Sequence, residues 1–312
     1  MRILVVGAGA LGGYYGGRLL EAGQDVTFLL RERRMAQLRQ TGLVIRSPLG
    51  DVELPAPPSV LSADLKTPFD VVLVGCKAYD LAATMESFAA AVGPATMVVP
   101  LLNGMRHLDQ LSARFGAERV VGGYCLISAS LSPEGVVQHH NDSHGLNFGE
   151  RDGSLSERVL ALQAACAGAK MQGKATATIL QEMWEKWTFI ASAAGITCLM
   201  RATIGDIAAA GGAGTANGMF DECAAIAAHN GHGPRAEAAE RSRRMLTNPK
   251  SAMTASMLKD IERGGPVEAD HILGDLLQRG GEGAGAVPAP LLRTAYVHLK
   301  AYEARRARET TP

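Results

Sequence analysis

The strongest constraint on the fold is a glycine-rich turn near the start of the chain, placed between a strand pattern and a helix pattern. Arg2–Val6 is a short, apolar, β-branched run typical of a buried parallel strand. A G-x-G-x-x-G motif follows it, then a helix pattern over Gly13–Ala22 and a second apolar run, Val26–Leu30. A strand, a glycine turn, a helix and a second strand in this order are typical of a dinucleotide-binding unit.

Each glycine of the motif has its own predicted role. Gly7 permits the tight turn, Gly9 lets the backbone approach a pyrophosphate, and Gly12 lets the helix lie close to the sheet. The helix N-terminus offers N–H groups and partial positive charge to the phosphates. The predicted cofactor-binding residues of the motif are Gly7, Ala8, Gly9, Ala10, Leu11 and Gly12.

The residue after the second strand indicates which dinucleotide is bound. An NAD site usually has Asp or Glu there to bind the ribose 2′-hydroxyl, whereas Arg accommodates the 2′-phosphate of NADP. This chain has Arg31, and Arg33 and Arg34 follow closely. A guanidinium group matches phosphate oxygens bidentately, so we predict Arg31 as the 2′-phosphate ligand and NADP(H) as the cofactor. The alternative is a solvated basic helix start, which would suit Arg33 and Arg34.

The composition argues against several classes of partner and site. Lys and Arg together number 31, as do Asp and Glu, so no excess charge attracts nucleic acid or a membrane surface. The five cysteines are scattered, without a C-x-x-C or a histidine cluster nearby, which indicates neither disulfides nor a metal site. Since the sequence shows no charged leader and no apolar run of membrane-spanning length, we expect a cytoplasmic protein.

Strands alternate with helices over the first half of the chain. Phe69–Cys76 is a buried-strand pattern that delivers Lys77 at its carboxyl end, and Thr96–Leu102 delivers Asn103 in the same way. This alternation predicts a doubly wound parallel sheet, in which ligands lie outside the carboxyl ends of the strands. The residues expected to line one crevice there are Gly7, Arg31, Lys77 and Asn103.

The pattern changes in the second half of the chain. Ile127–Gly149 predicts antiparallel strands, and beyond Thr178 the patterns are helical, with a short basic tail near Arg305. A chain of 312 residues is long enough for two cores. We predict an α/β Rossmann-type parallel sheet domain over residues 1–177, followed by an all-α domain over residues 178–312. The alanine-rich helices of the second domain could support a homodimer.

A nicotinamide enzyme needs a proton donor or acceptor for the substrate oxygen, because the cofactor supplies only the hydride. None of the eight histidines is framed by an obvious orienting acid, so placement on the surface or in the core is favoured. Lys186 lies mid-helix between apolar residues, where partial desolvation would lower its pKa toward that of a usable general acid. The alternative is a lysine whose stem covers apolar surface while its ammonium group reaches solvent.

Ser256 and Glu268 are candidate substrate ligands that the pattern alone leaves open. Ser256 lies in a predicted helix, Ala252–Arg263, as either a ligand or a solvent-facing serine. Glu268 opens an apolar-periodic run, where it is either a favourable first-turn acid or a group that bonds a substrate oxygen.

Taken together, six motifs resemble the ketopantoate reductase (2-dehydropantoate 2-reductase) family. They keep the family's order and spacing over nearly the whole chain, including the twelve residues from Ser256 to Glu268. The motifs are the glycine turn, Arg31, C-K-A at Cys76–Ala78, L-L-N-G-M at Leu101–Met105, E-M-W-E-K at Glu182–Lys186 and S-M-L-x-D-I…E at Ser256–Glu268.

The resemblance implies NADPH-dependent reduction of a small-molecule 2-keto acid, with ketopantoate, which is reduced to pantoate in pantothenate biosynthesis, as the first candidate. It implies that Arg31 and Lys77 meet the 2′-phosphate region, and that Asn103 contacts the nicotinamide side and the substrate. Lys186 would be the general acid to the carbonyl oxygen, with Glu268 in the same catalytic set. Ser256 and Glu268 would bind polar groups of the substrate.

One departure from the family concerns the substrate pocket. The family has asparagines four and eight residues after the lysine and three residues before the serine, and here these positions are Ile190, Ala194 and Met253. Thr188 and Ser192 point about 160° and 120° away from the lysine on an ideal helix, so they are poor replacements. A site built to pair a hydroxyl loses orders of magnitude without its amides. The alternatives are a reductase of a more apolar 2-keto acid, a non-catalytic NADPH sensor, or another dehydrogenase of the same layout.

Overall fold

The computed structural model describes residues 1–310, and the chain divides into two units. The first unit contains Met1–Leu102 and His107–Leu180. The second contains the short segment Asn103–Arg106 and the chain from Gln181 onward. An α/β unit with a parallel sheet is thus followed by a helical unit, as the sequence predicted, but the inclusion of Asn103–Arg106 in the second unit was not anticipated.

A parallel five-stranded sheet forms the centre of the first unit. Its strands lie side by side in the order β5 (Ser59–Val60), β2 (Asp25–Leu29), β1 (Arg2–Val6), β6 (Val71–Val74) and β7 (Met97–Pro100). The register places Val6 opposite both Leu29 and Val74. Because the strands run parallel, their carboxyl ends lie along one edge, where the glycine turn begins.

Five helices belong to this unit. They are α1 (Ala10–Glu21), α2 (Glu32–Thr41), α3 (Leu81–Phe88), α4 (Arg106–Phe115) and α5 (Glu157–Ala167). The apolar strand residues and the inner faces of these helices form the core, in which Tyr14, Tyr15 and Phe28 are fully buried. Continuous β-branched runs therefore fold as strands that are covered by apolar side chains on both faces.

A second sheet completes the first unit. Its strands lie in the order β10 (Gln172–Ala175), β9 (Val137–Gly149), β3 (Leu43–Arg46) and β4 (Val52–Leu54), and β8 (Gly122–Leu131) pairs with β9. The β8–β9 pair is antiparallel, which confirms the prediction for Ile127–Gly149.

The described part of the second unit is helical, without a strand. Its elements are α6 (Ile179–Met200), α7 (Ile204–Ala209), α8 (Ala213–His229), α9 (Ala236–Leu246), α10 (Ser256–Glu262), a π-helical turn (Asp270–Gly274), α11 (Asp275–Arg279) and α12 (Pro290–Thr310). The structure differs from the sequence prediction at two points. The predicted helix Ala252–Arg263 begins only at Ser256. The helix α12, which contains the basic residues near Arg305 and buries Leu292 and Leu299 on one face, was not predicted. Within residues 1–310, no helix is both long and apolar enough to cross a membrane.

Candidate functional site

The glycine turn of the first unit combines a left-handed residue with a close approach of helix and strand. Gly7 has φ +88° and donates its N–H to the Leu29 carbonyl at 2.9 Å. A Cβ at Gly12 would lie only 2.0 Å from the Gly7 carbonyl oxygen, so the turn needs glycine at this position too. Gly9, by contrast, has open space around a would-be Cβ, with no atom within 4 Å.

The N-terminus of α1 faces this open space with its backbone groups. Gly9 is the N-cap residue, and no side chain caps the helix. The first-turn N–H groups, together with the positive end of the helix dipole, suit an anionic group such as a pyrophosphate. The motif residues thus supply open space and backbone N–H groups that could hold an anionic group.

Two arginines after β2 have different environments. Arg31 is the N-cap of α2, its side chain is 76% exposed, and its guanidinium lies 3.5 Å from the Asp80 carboxylate. Arg34 is half-buried and donates to the carbonyl oxygens of Ala8 at 2.9 Å and Gly135 at 3.0 Å. Arg31 is therefore exposed enough to meet a phosphate, whereas Arg34 supports the glycine turn and is not the solvated residue that the sequence suggested.

Lys77 follows the neighbouring strand at the same edge of the sheet. It is half-buried and caps the short 3-10 turn Ala78–Asp80, whose last residue is the acid beside Arg31. The structure thus places Gly7, Arg31 and Lys77 after three adjacent strands, β1, β2 and β6. Asn103, the fourth residue predicted for this edge, is part of the second unit.

In the second unit, the predicted general acid meets the predicted asparagine. Lys186 lies in α6, and its Nζ donates to Oδ1 of Asn103 at 2.8 Å. Both residues are half-buried. The Asn103 amide oxygen thus gives the Lys186 ammonium group an acceptor within α6's own unit.

The residues on either side of Lys186 fix the helix in place. Glu185 accepts two hydrogen bonds from the Arg235 guanidinium, both at 2.7 Å, and one from the Arg235 backbone N–H at 2.9 Å. Burial alone would raise the pKa of Glu185, but the bonds from Arg235 outweigh it and hold the pKa below the ordinary value. The Trp187 indole donates to the Ile272 carbonyl at 2.9 Å. Lys186 therefore projects from a well-anchored turn of α6.

His271 also belongs to this group of residues, although its sequence pattern did not predict it as a site residue. Its Nε2 lies 2.7 Å from the backbone oxygen of Asn103. A carbonyl oxygen only accepts, so Nε2 carries the hydrogen. Burial lowers the pKa of His271, although the Glu268 carboxylate acts in the opposite direction. The signal available in the sequence was the spacing from Glu268, since residues three apart are neighbours on a helix.

The remaining predicted ligands lie on neighbouring elements. Ser256 is the first residue of α10 and is exposed, while Glu268 is half-buried and precedes the π-helical turn. Where the family pattern has amides, Ile190 is half-buried, Ala194 is 4% exposed, and Met253 packs against the helical core.

The two hydroxyl groups near Lys186 in the sequence do not replace those amides. Thr188 and Ser192 are fully buried and donate to the carbonyls of Trp184 and Thr188 in their own helix, at 2.9 Å and 2.7 Å. Their hydroxyls are therefore engaged within α6, as the helical angles predicted.

Four of the five cysteines are buried, and Cys76 is half-buried. The five cysteines make no disulfide, and burial raises the pKa of Cys166, Cys198 and Cys223 to about 12, so these thiols stay protonated at neutral pH. Over residues 1–310, no group of histidine, cysteine and acidic side chains could hold a metal ion.

Two family models match the chain. The model described as Ketopantoate reductase PanE/ApbA matches residues 3–153. The model described as Ketopantoate reductase PanE/ApbA C terminal matches residues 178–303. Together the two matches include the glycine turn, Arg31, Lys77 and Asn103 in the first range, and Lys186, Ser256 and Glu268 in the second.

Relatives and solved structures match over almost the full length. The uncharacterized oxidoreductase YkpB of Bacillus subtilis (strain 168) is 40% identical over 307 residues, which are 98% of this chain and 100% of the relative. The 2-dehydropantoate 2-reductase of Mesorhizobium japonicum is 26% identical over a 302-residue alignment that covers 90% of this chain and 91% of the relative. The crystal structure of 2-dehydropantoate 2-reductase from Methylococcus capsulatus has a TM-score of 0.87 at 29% identity and covers 98% of each chain.

Proposed function

This chain belongs to the ketopantoate reductase PanE/ApbA family and is an NADP-dependent oxidoreductase, and we propose that it reduces 2-dehydropantoate to pantoate with Lys186 as general acid. The family supports NADPH-dependent reduction of a 2-keto acid; the particular acid and the residue roles are our proposal. The observation that carries the proposal is the hydrogen bond from Lys186 Nζ to Asn103 Oδ1 at 2.8 Å. This bond supports the proposal because it gives the Lys186 ammonium group a defined acceptor, and Lys186 is the residue that the resemblance suggests as proton donor.

The first unit contains the groups that would bind the cofactor. The uncapped N-terminus of α1 and the open space at Gly9 fit the pyrophosphate, and the exposed Arg31 guanidinium fits the 2′-phosphate. Lys77 would add a second positive charge at the same edge of the sheet. When bound, NADPH supplies the hydride, and the protein has to supply the proton.

Lys186 would supply this proton. As the keto carbon is reduced, negative charge develops on its oxygen, and the Lys186 ammonium group would stabilise that charge and then transfer a proton to it. The products are the 2-hydroxy acid and the oxidised cofactor, so one hydride and one proton account for the reaction. Glu268 and Ser256 would bind polar groups of the substrate and orient it.

A more apolar 2-keto acid is the second candidate substrate. Ile190 and Ala194 share one face of α6 with Lys186, because four and eight residues are close to one and two helical turns. These apolar side chains replace the amides with which the family pattern would pair a substrate hydroxyl. The cytoplasmic location and the homodimer stay predictions from the sequence.

The decisive test is nicotinamide absorbance with purified protein, NADPH and either ketopantoate or one of a panel of apolar 2-keto acids. Fast oxidation with ketopantoate is expected, and oxidation only with another keto acid would favour the second candidate. Lys186→Ala should reduce turnover by about 10² to 10⁴-fold while NADPH binding persists. The matched control is Lys174→Ala, an exposed lysine of β10. Wild-type turnover in Lys186→Ala would refute the general-acid role.

A further inference from the structure

Five residues of the second unit form a closed loop of contacts that includes the Lys186 ammonium group. Lys186 donates to the Asn103 side chain at 2.8 Å, His271 donates to the Asn103 backbone at 2.7 Å, and Trp187 donates to the Ile272 carbonyl at 2.9 Å. Lys186 and Trp187 are adjacent in sequence, as are His271 and Ile272. Two peptide-linked pairs and three hydrogen bonds therefore close the loop.

A π-helical turn supplies one side of this loop. His271 and Ile272 both lie in Asp270–Gly274, where the N–H of Asp275 bonds to the Asp270 carbonyl, five residues earlier. Such turns are rare and occur frequently at functional sites. Here the turn directs the His271 ring to Asn103 and the Ile272 carbonyl to Trp187 of α6.

The backbone of the Asn103 segment fits closely against His271. Gly104 has φ +82°, and a Cβ there would lie 3.2 Å from both Cδ2 and the backbone oxygen of His271. The His271 ring thus contacts the peptide that links Asn103 to Gly104 from one side. The position of a backbone affects where its side chain points, so the His271 contact bears on the direction of the Asn103 amide.

We propose that His271 is a positioning residue for the proton donor: by donating to the Asn103 carbonyl, it aims the Asn103 amide that orients the Lys186 ammonium group. This inference rests on the role proposed above for Lys186. A lysine ammonium is a point charge on a flexible stem of four carbons, so it needs a fixed acceptor to hold one orientation. Misplacement of a reacting group by about 1 Å can cost a factor of about 10² in rate.

Substitution at His271 tests the proposal through the split between kcat and KM. His271→Phe removes the donor and keeps an aromatic ring, and we expect kcat to fall by about tenfold or more, with little change in the KM for the keto acid or in NADPH affinity. His271→Gln retains an N–H that reaches the carbonyl and should restore most of the kcat. His298→Phe is the matched control, because Nε2 of His298 is buried without a hydrogen-bond partner in the described chain. Should His271→Phe fail to fold, His271→Leu provides the same comparison.

A double-mutant cycle shows whether His271 acts through the Asn103 side chain. In the Asn103→Ala background, where the amide is already absent, His271→Phe should cause little further loss of kcat. Equal losses in both backgrounds, a wild-type kcat in His271→Phe, or no rescue by His271→Gln would each overturn the proposal. Lys186→Ala separates the two hypotheses. Full activity of the Lys186→Ala variant would refute the proposed function. If Lys186→Ala is inactive and His271→Phe is fully active, only the positioning role of His271 is refuted.

Discussion

The close packing of α1 on β1 makes Gly12→Ala a sharp test of the nucleotide-binding unit. The added Cβ would lie 2.0 Å from the Gly7 carbonyl oxygen and 3.2 Å from Cγ1 of Val5. Since carbon and oxygen normally approach to about 3.3 Å, α1 would have to move away by roughly 1 Å. Overpacking of this kind costs about 1–3 kcal/mol. We expect about 2–3 kcal/mol here, because the obstacle is a backbone atom that cannot rotate away.

Gly9→Ala distinguishes the fold from the cofactor site. Gly9 has φ −82°, which any residue adopts, and its Cβ would meet no atom within 4 Å, so the free energy of unfolding should stay at the wild-type value. The same Cβ would occupy the space in which we propose the pyrophosphate lies, and NADPH affinity should fall by about tenfold or more. Gly168→Ala is the matched control, because its Cβ also meets no atom within 4 Å and it lies outside the turn.

Two measurements decide this prediction. Urea denaturation followed by circular dichroism, without cofactor, reports the free energy of unfolding, and titration with NADPH followed by its fluorescence reports the affinity. Gly12→Ala should lower both the free energy of unfolding and the affinity for NADPH. Gly9→Ala should lower only the affinity for NADPH, and Gly168→Ala should lower neither. A Gly12→Ala variant as stable as wild type would refute the packing argument. Unchanged NADPH binding in Gly9→Ala would refute the placement of the pyrophosphate.

Three further predictions concern the cofactor, the substrate and pH. Arg31→Ala should weaken NADPH binding about tenfold or more and leave NADH binding unchanged in parallel fluorescence titrations, because only NADPH carries the 2′-phosphate. Ile190→Asn combined with Ala194→Asn should raise kcat/KM for ketopantoate relative to an apolar keto acid by about tenfold, and an unchanged ratio would exclude these positions as determinants. Because Arg235 holds the pKa of Glu185 below its ordinary value of 4.5, stability from this pair is complete above that value and is lost as the pH falls through the lower, folded-state pKa. Urea denaturation at a series of pH values should therefore show that the free energy of unfolding falls more steeply at acid pH in wild type than in Glu185→Gln. An equal pH dependence in the two proteins would contradict this prediction.

The nucleotide-binding half could be predicted because its signals are local. A positive φ at Gly7, an apolar strand before it and a helix after it all depend on a few consecutive residues. The basic residue at the end of β2 follows from the same pattern. The sequence did not show that Arg31 and Arg34 pack differently, because the burial of Arg34 depends on the carbonyl of Gly135, which is distant in sequence.

For the helical half, the sequence predicted the type of secondary structure but not which side chains come into contact. Helical patterns predicted the helices from α6 to the segment containing the π-helical turn, whereas α12 was missed and the turn itself has no simple periodicity. The role predicted for Lys186 came from a resemblance, and its contact with Asn103 spans 83 residues of sequence.

The sequence by itself determined the fold class, the glycine turn and the residue types available for catalysis, because backbone conformation and apolar periodicity act over short distances. Tertiary structure alone decided which of those residues meet. His271 reaches Asn103 across 168 residues, and Trp187 reaches Ile272 across 85. Such contacts exist only once the helices pack, since a hydrogen bond of this kind depends on where two distant backbones come to lie.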